Sequence, residues 1–203
     1  MSYRFRPILI SLAAISIFSL TILSSGADDL LSSAAGEFRD KDYDAAYTLA
    51  GKSAESPQRS FMRGVSALRA GKPEEALSPL LEAEQKFPLL ADYAALYQAE
   101  ALLELKKYPE AAAKAVLLAK AYPASLLLRR SGKLHADALL ESGDPAGALK
   151  VFQAFVEKYP SGSDAVDAIF QAARCRENLG DSAGALQIYR NLWINNPATS
   201  QAL

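Results

Sequence analysis

The sequence predicts an all-α protein, a solenoid of about five helix pairs behind an N-terminal export signal. Three observations carry this. Half of the 203 residues are apolar, and within that half alanine and leucine dominate over the β-branched residues that favour strands. An alanine followed twelve positions later by a proline recurs five times, at Ala45 and Pro57, Ala76 and Pro88, Ala111 and Pro123, Ala148 and Pro160, and Ala185 and Pro197. The break ahead of each alanine combines residues that stop one helix with residues that start the next.

The first element is the export signal. Arg4 and Arg6 form a short positive region, Ile8 to Leu23 is an uncharged apolar run, and Ser25-Gly26-Ala27 brings small residues just before Asp28-Asp29. That layout assigns residues 1–27 to a secretory signal cleaved after Ala27, or to an uncleaved N-terminal anchor, and residues 28–203 to the repeat domain. The apolar run is slightly short of the ~20 residues that span a bilayer. Cleavage is the favoured reading, which makes the chain exported and periplasmic, with an inner-membrane anchor as the alternative. The single cysteine, Cys175, cannot make an internal disulfide, so stability must come from packing.

The alanines are 31, 35, 37 and 37 residues apart, close to the ~34-residue period of a two-helix repeat. Each break reads as a tight turn. Gly71, Gly143 and Gly180 suit the left-handed conformation at a helix C-terminus, Asp144 and Asp181 suit the N-cap of the next helix, and Pro73 and Pro145 suit its first turn. The alanine one turn later is expected at the closest approach of the two helices. The proline then ends the second helix, because it disfavours the helical conformation at the residue before it. Phe87, Tyr122 and Tyr159 hold that preceding position in three repeats and are expected to cover the end of the pair.

The helices accordingly fall at 29–39 and 42–54, 58–70 and 73–86, 89–105 and 108–121, 124–142 and 145–158, and 163–179 and 182–195. In the eighth, Leu149, Phe152, Phe155 and Val156 recur at three- and four-residue steps, one apolar face for the next pair to cover. Leu186, Ile188, Tyr189, Leu192 and Trp193 repeat that face in the tenth. Each pair leaves an apolar face that only a neighbour can bury.

The alanine, the aromatic-proline end and the glycine-containing turn resemble the tetratricopeptide repeat. The large residue usual near the start of the first helix is replaced here by Ser60, Ala95 and Gly132. The resemblance implies a right-handed superhelical solenoid of about five tetratricopeptide-like helix pairs. A narrower resemblance lies in Ala91-Asp92-Tyr93-Ala94-Ala95-Leu96-Tyr97, in Tyr189-Arg190-Asn191-Leu192-Trp193 and in Pro197-Ala198-Thr199-Ser200-Gln201-Ala202. Together with the export signal, these resemble the N-terminal helical region of bacterial soluble lytic murein transglycosylases. In that family such a superhelix leads into a lysozyme-like domain that cleaves peptidoglycan glycan strands and leaves an anhydro sugar.

The resemblance covers the helical part only. The family's catalytic glutamate lies in a Glu-Ser pair followed by a Gly-Leu-Met-Gln type segment. The Glu-Ser pairs here, Glu55-Ser56 and Glu141-Ser142, fall in repeat junctions, and no methionine follows Met62. Leu203 lies six residues past Pro197, and Leu192, Trp193 and Ile194 are expected to leave apolar surface at that end. This is read as a fragment of a longer enzyme, or as an adaptor that covers its end with a partner or a second copy of itself.

Other candidates read as structural. His135 has no second ligand at helical spacing. Cys175 is expected to be a small buried residue, since its flanking arginines, Arg174 and Arg176, point to different sides of a helix. Arg129, Arg130 and Lys133 form a modest basic cluster, read as a solvated face before a contact for a carboxylate-bearing glycan peptide. A net charge of −1 makes nucleic acid an unfavoured partner. No catalytic, cofactor-binding or metal-binding residue is assigned and no cofactor is implied. The partner is peptidoglycan glycan or a protein, and a membrane is met only through the signal or anchor.

Overall fold

The computed structural model describes residues 29–195, so the export signal expected at residues 1–27 and the final segment after Asn195 lie outside the described residues. Ten α-helices occupy the described residues: α1 (Asp29–Arg39), α2 (Tyr43–Lys52), α3 (Pro57–Arg69), α4 (Pro73–Lys86), α5 (Ala91–Glu104), α6 (Tyr108–Ala121), α7 (Leu128–Glu141), α8 (Pro145–Lys158), α9 (Ser163–Asn178) and α10 (Ser182–Asn195). A 3-10 turn, Pro88–Leu90, precedes α5. The chain divides into two compact units at Ala94 and Ala95. Consecutive helices pack on one another within each unit, the sequential helix-pair arrangement expected from the repeat. Among the described residues no helix is long and apolar enough to cross a membrane.

Five turns of one design join the helices of the five pairs. At the third, the Lys106 amide donates to the Leu103 carbonyl (3.0 Å) and the Lys107 amide to the Leu102 carbonyl (2.9 Å); the turns at Lys41, Gly71, Gly143 and Gly180 repeat both bonds. This double bond satisfies the last carbonyls of the helix and needs a left-handed residue at its centre. Glycine supplies it three times, but Lys41 (φ 68°) and Lys106 (φ 58°) adopt it against their side chains. Lys106→Gly is therefore expected to raise stability by about 0.5–1 kcal/mol, the relieved strain less the greater freedom of glycine in the unfolded chain. Thermal unfolding checks it; a lower melting temperature would rule out strain at this turn.

The repeat ruler needs one correction. Counted from the turns, the residue equivalent to Ala76, Ala111, Ala148 and Ala185 is Ala46, fully buried, and not Ala45, which is half-buried. The first pair is one residue shorter before its proline because it closes differently. The buried Ser53 hydroxyl donates to the Ala50 carbonyl (2.9 Å), and the Arg59 guanidinium donates to the carbonyls of Ala50 and Gly51 (both 3.1 Å). Side chains thus take the last carbonyls of α2, so the helix ends at Lys52.

The aromatic ends behave as expected. Phe87, Tyr122 and Tyr159 leave the helical conformation ahead of their prolines. Phe87 meets Phe61 edge-on at 6.2 Å, and Tyr159 lies 5.1 Å from Phe155. The seventh helix starts at Leu128 and not at 124, since the Ser125 amide bonds the Tyr122 carbonyl and the Ser125 hydroxyl accepts from the Leu127 amide, both at 3.0 Å. That local turn competes with helix.

A second small residue stands twelve positions before each buried alanine: Ala34, Gly64, Ala99, Ala136 and Ala173. All five are buried. Small residues on both helices let the backbones approach closely, so the crossing is set by a pair of small side chains and not by one. In the second unit the core runs through Leu96, Ala99, Ala111, Ala115, Leu118 and Leu134, then through Ala148, Phe152, Phe155, Ala168, Ala172 and Cys175.

Candidate functional site

Within the second unit, the first helices of three successive pairs carry charged side chains that meet one another. Arg130, Lys133 and Asp137 recur at three- and four-residue steps on α7, and Asp167, Gln171 and Arg174 do so on α9, so each set lies on one helix face. Tyr97 and Glu100 supply the α5 side. The Arg130 Nη2 meets Glu100 Oε1 at 2.5 Å, and its guanidinium lies 5.9 Å from the centre of the buried Tyr97 ring. The Lys133 ammonium donates to Asp137 Oδ2 at 2.8 Å and to Asp167 Oδ2 at 2.7 Å, which ties α7 to α9. The Arg174 guanidinium donates to Gln171 Oε1 at 2.8 Å.

Two carboxylates sharing one ammonium set the electrostatics. Burial works against the charge on Lys133, but Asp137 and Asp167 together outweigh it and hold the ammonium above the usual lysine range. Burial pushes the Asp137 carboxyl up, further helped by the like charge of Asp167, and the attraction of Lys133 only partly offsets this. Each of the three side chains keeps about a quarter of its surface exposed.

The basic cluster of the sequence is therefore corrected: its three cations all have acidic partners and do not make a free, solvated patch. Arg129 diverges from the other two. Its Nε meets Asp164 Oδ2 (3.0 Å), its Nη2 donates to the Ser161 carbonyl (2.6 Å), and its guanidinium lies 5.3 Å from the centre of the Tyr159 ring. It fastens the start of α7 to the end of α8 and the start of α9. Gly162 lies beside it at φ 96°, and an added Cβ would come within 3.0 Å of that guanidinium.

The remaining candidates stay apart from the strip's chemistry. Burial lowers the pKa of His135, which favours its neutral ring. Cys175 is buried between α8 and α9, and burial pushes its thiol up to about 11, so little reactive thiolate forms at neutral pH. Arg176 turns to Asp181 Oδ2 at 2.7 Å, away from it. Glu55 is almost fully exposed and pairs with Arg59 at 3.5 Å, and Glu141 is exposed at the end of α7. Among the described residues no three His, Cys, Asp or Glu side chains group to hold a metal ion.

The strip offers donors and acceptors of both signs on rigid helices, suited to a polar polypeptide that exchanges ion pairs with it. Sequence reasoning missed Glu100 and Asp167. The Lys133–Asp137 spacing of four was a legible signal, but the partners on α5 and α9 lie 30 and 34 residues away along the chain.

A family model described as tetratricopeptide repeat matches residues 61–125 and 133–197. Among solved structures, MamA 41-end from Desulfovibrio magneticus RS-1 is similar with a TM-score of 0.75 at 14% identity, covering 87% of this chain and 98% of that one. MamA MSR-1 is similar with a TM-score of 0.67 at 15% identity, covering 82% and 94%. The apo form of RapI follows with a TM-score of 0.71 at 12% identity, covering 84% and 70%. At such identities the likeness shows the fold alone. No curated protein matches the chain.

Proposed function

Because the chain belongs to the tetratricopeptide repeat family, we propose that it is a protein-binding scaffold, exported through residues 1–27 and at work in the periplasm. The observation that carries this is the strip of mixed charge on α5, α7 and α9, where half-buried side chains of three repeats are held by one another in defined geometry. A polypeptide laid across them can replace those partners one for one, so specificity comes from the order of charges along the strip. Pre-organised side chains lose little freedom on binding.

A narrower reading makes the scaffold part of a soluble lytic transglycosylase, embracing glycan strands beside a catalytic domain. Its support is the resemblance of residues 91–97 and 189–193 to that family's helical region; the repeat model and the structures above name no such enzyme. One experiment addresses both. A photo-crosslinking residue is placed at Arg174, on the strip, and at Lys150, exposed on α8, and the periplasmic fraction is analysed. Capture of a polypeptide from position 174 and not from 150 is expected. Capture of peptidoglycan fragments, with co-sedimentation on insoluble peptidoglycan, would favour the glycan reading. Equal capture from both positions, or recovery of the chain outside the periplasm, would count against the proposal.

A further inference from the structure

Helix α10 repeats α8 residue for residue along one face: Leu186, Tyr189, Leu192 and Trp193 stand thirty-seven positions after Leu149, Phe152, Phe155 and Val156. On α8 that face is covered. Phe152 and Phe155 are buried in a cluster with Ala168, Ala172 and Cys175 of α9, and Leu149 and Val156 pack against the same cluster. The three α9 residues are small and fall at i, i+4 and i+7, so α9 offers a shallow face that accepts large side chains from α8. On α10 the outcome differs. Leu192 is buried, but Leu186 is 58% exposed and Trp193 and Ile194 are each 61% exposed. Among the described residues no helix covers Leu186 or Trp193, and an exposed apolar stripe of this size is where a partner is expected.

We propose that this stripe docks an amphipathic helix of a partner protein, one that presents small side chains at i, i+4 and i+7 with an acidic residue beside them. Two features select that occupant. The face continues the α8–α9 interface at equivalent repeat positions, so the same small-residue complement fits it. Arg190 is exposed one turn from both Leu186 and Trp193, so an acidic neighbour matches its charge. This surface is separate from the charged strip and does not depend on what binds there.

The chain holds a single tryptophan, Trp193, so its emission reports occupancy directly. The probe is a helix-stapled peptide of the α9 sequence, residues 163–178 with Cys175→Ala, titrated into the purified full chain. A saturable blue shift of Trp193 emission is expected, weakened at least tenfold when the peptide carries Ala168→Leu and Ala172→Leu. In the chain, Leu186→Asp should abolish the shift and Arg190→Glu should weaken it severalfold, with circular dichroism confirming that helix content is kept. Four outcomes would overturn the proposal: no saturable shift, equal binding by the leucine peptide, self-association with Trp193 buried between copies, or a Trp193 already buried in the monomer until residues 196–203 are removed.

Discussion

At pH 7, Lys133→Met is expected to lower unfolding stability by about 2–3 kcal/mol. Methionine keeps most of the stem packing, so the loss is electrostatic. Without the ammonium, Asp137 and Asp167 face each other across the α7–α9 contact. Removing one partner of a buried pair costs about 3–5 kcal/mol, and the quarter of each side chain that water reaches lowers the figure here. The variant also predicts its own pH dependence. Burial already holds the Asp137 carboxyl above the usual range, and loss of the neighbouring cation raises it further. A carboxyl raised in the folded state binds protons more readily folded than unfolded, so stability rises as pH falls through that folded pKa toward the ordinary carboxylate range. Urea unfolding at pH 7 and pH 5 should show the deficit of the variant shrinking at the lower pH. A deficit that grows on acidification would refute the triad as its origin.

Gly64→Ala is expected to destabilise the first unit by about 1–2 kcal/mol, although alanine is the better helix former. The ideal Cβ of residue 64 lies 2.6 Å from Leu80 Cγ, 2.8 Å from its Cδ2 and 3.1 Å from its backbone nitrogen. Leu80 can rotate away, but its backbone cannot, so α3 and α4 must separate. Overpacking of this kind costs about 1–3 kcal/mol, and the helix propensity of alanine returns at most about 1 kcal/mol. The other four pairs carry alanine at this position, and two of them, with Ala50 and Ala115 where the second pair has Leu80, show how it fits. Leu80→Ala, costly alone as a cavity, should therefore be less costly in the Gly64→Ala background. A double-mutant cycle with no coupling would place the strain elsewhere.

Such crossings show what could be seen in advance. The alanine at the start of each second helix and its proline were legible because they recur. Its partner, Ala34, Gly64, Ala99, Ala136 or Ala173, recurs just as regularly. It does not stand out in the sequence, because small residues are common along helices whose apolar residues are largely alanine. Ala45 and Ala46 show the opposite error: adjacent alanines satisfy one ruler, and only burial tells which faces α1.

The sequence by itself determined the helices and their order, because stops and starts are local chemistry. Gly71, Gly143 and Gly180 tolerate the left-handed turn, Asp144 and Asp181 cap the next helix through the amides of Gly147 and Gly184, and the prolines end the second helices within a few residues of the signal itself. Tertiary structure alone decided what those helices present. Lys41 and Lys106 are held left-handed where no local preference asks for it, and the cations of 129, 130 and 133 divide among four acids on three helices. Leu186 and Trp193 stay open where Leu149 and Val156 are covered. Local backbone preference is a property of a few adjacent residues, whereas the partner of a side chain depends on which helix the fold lays beside it.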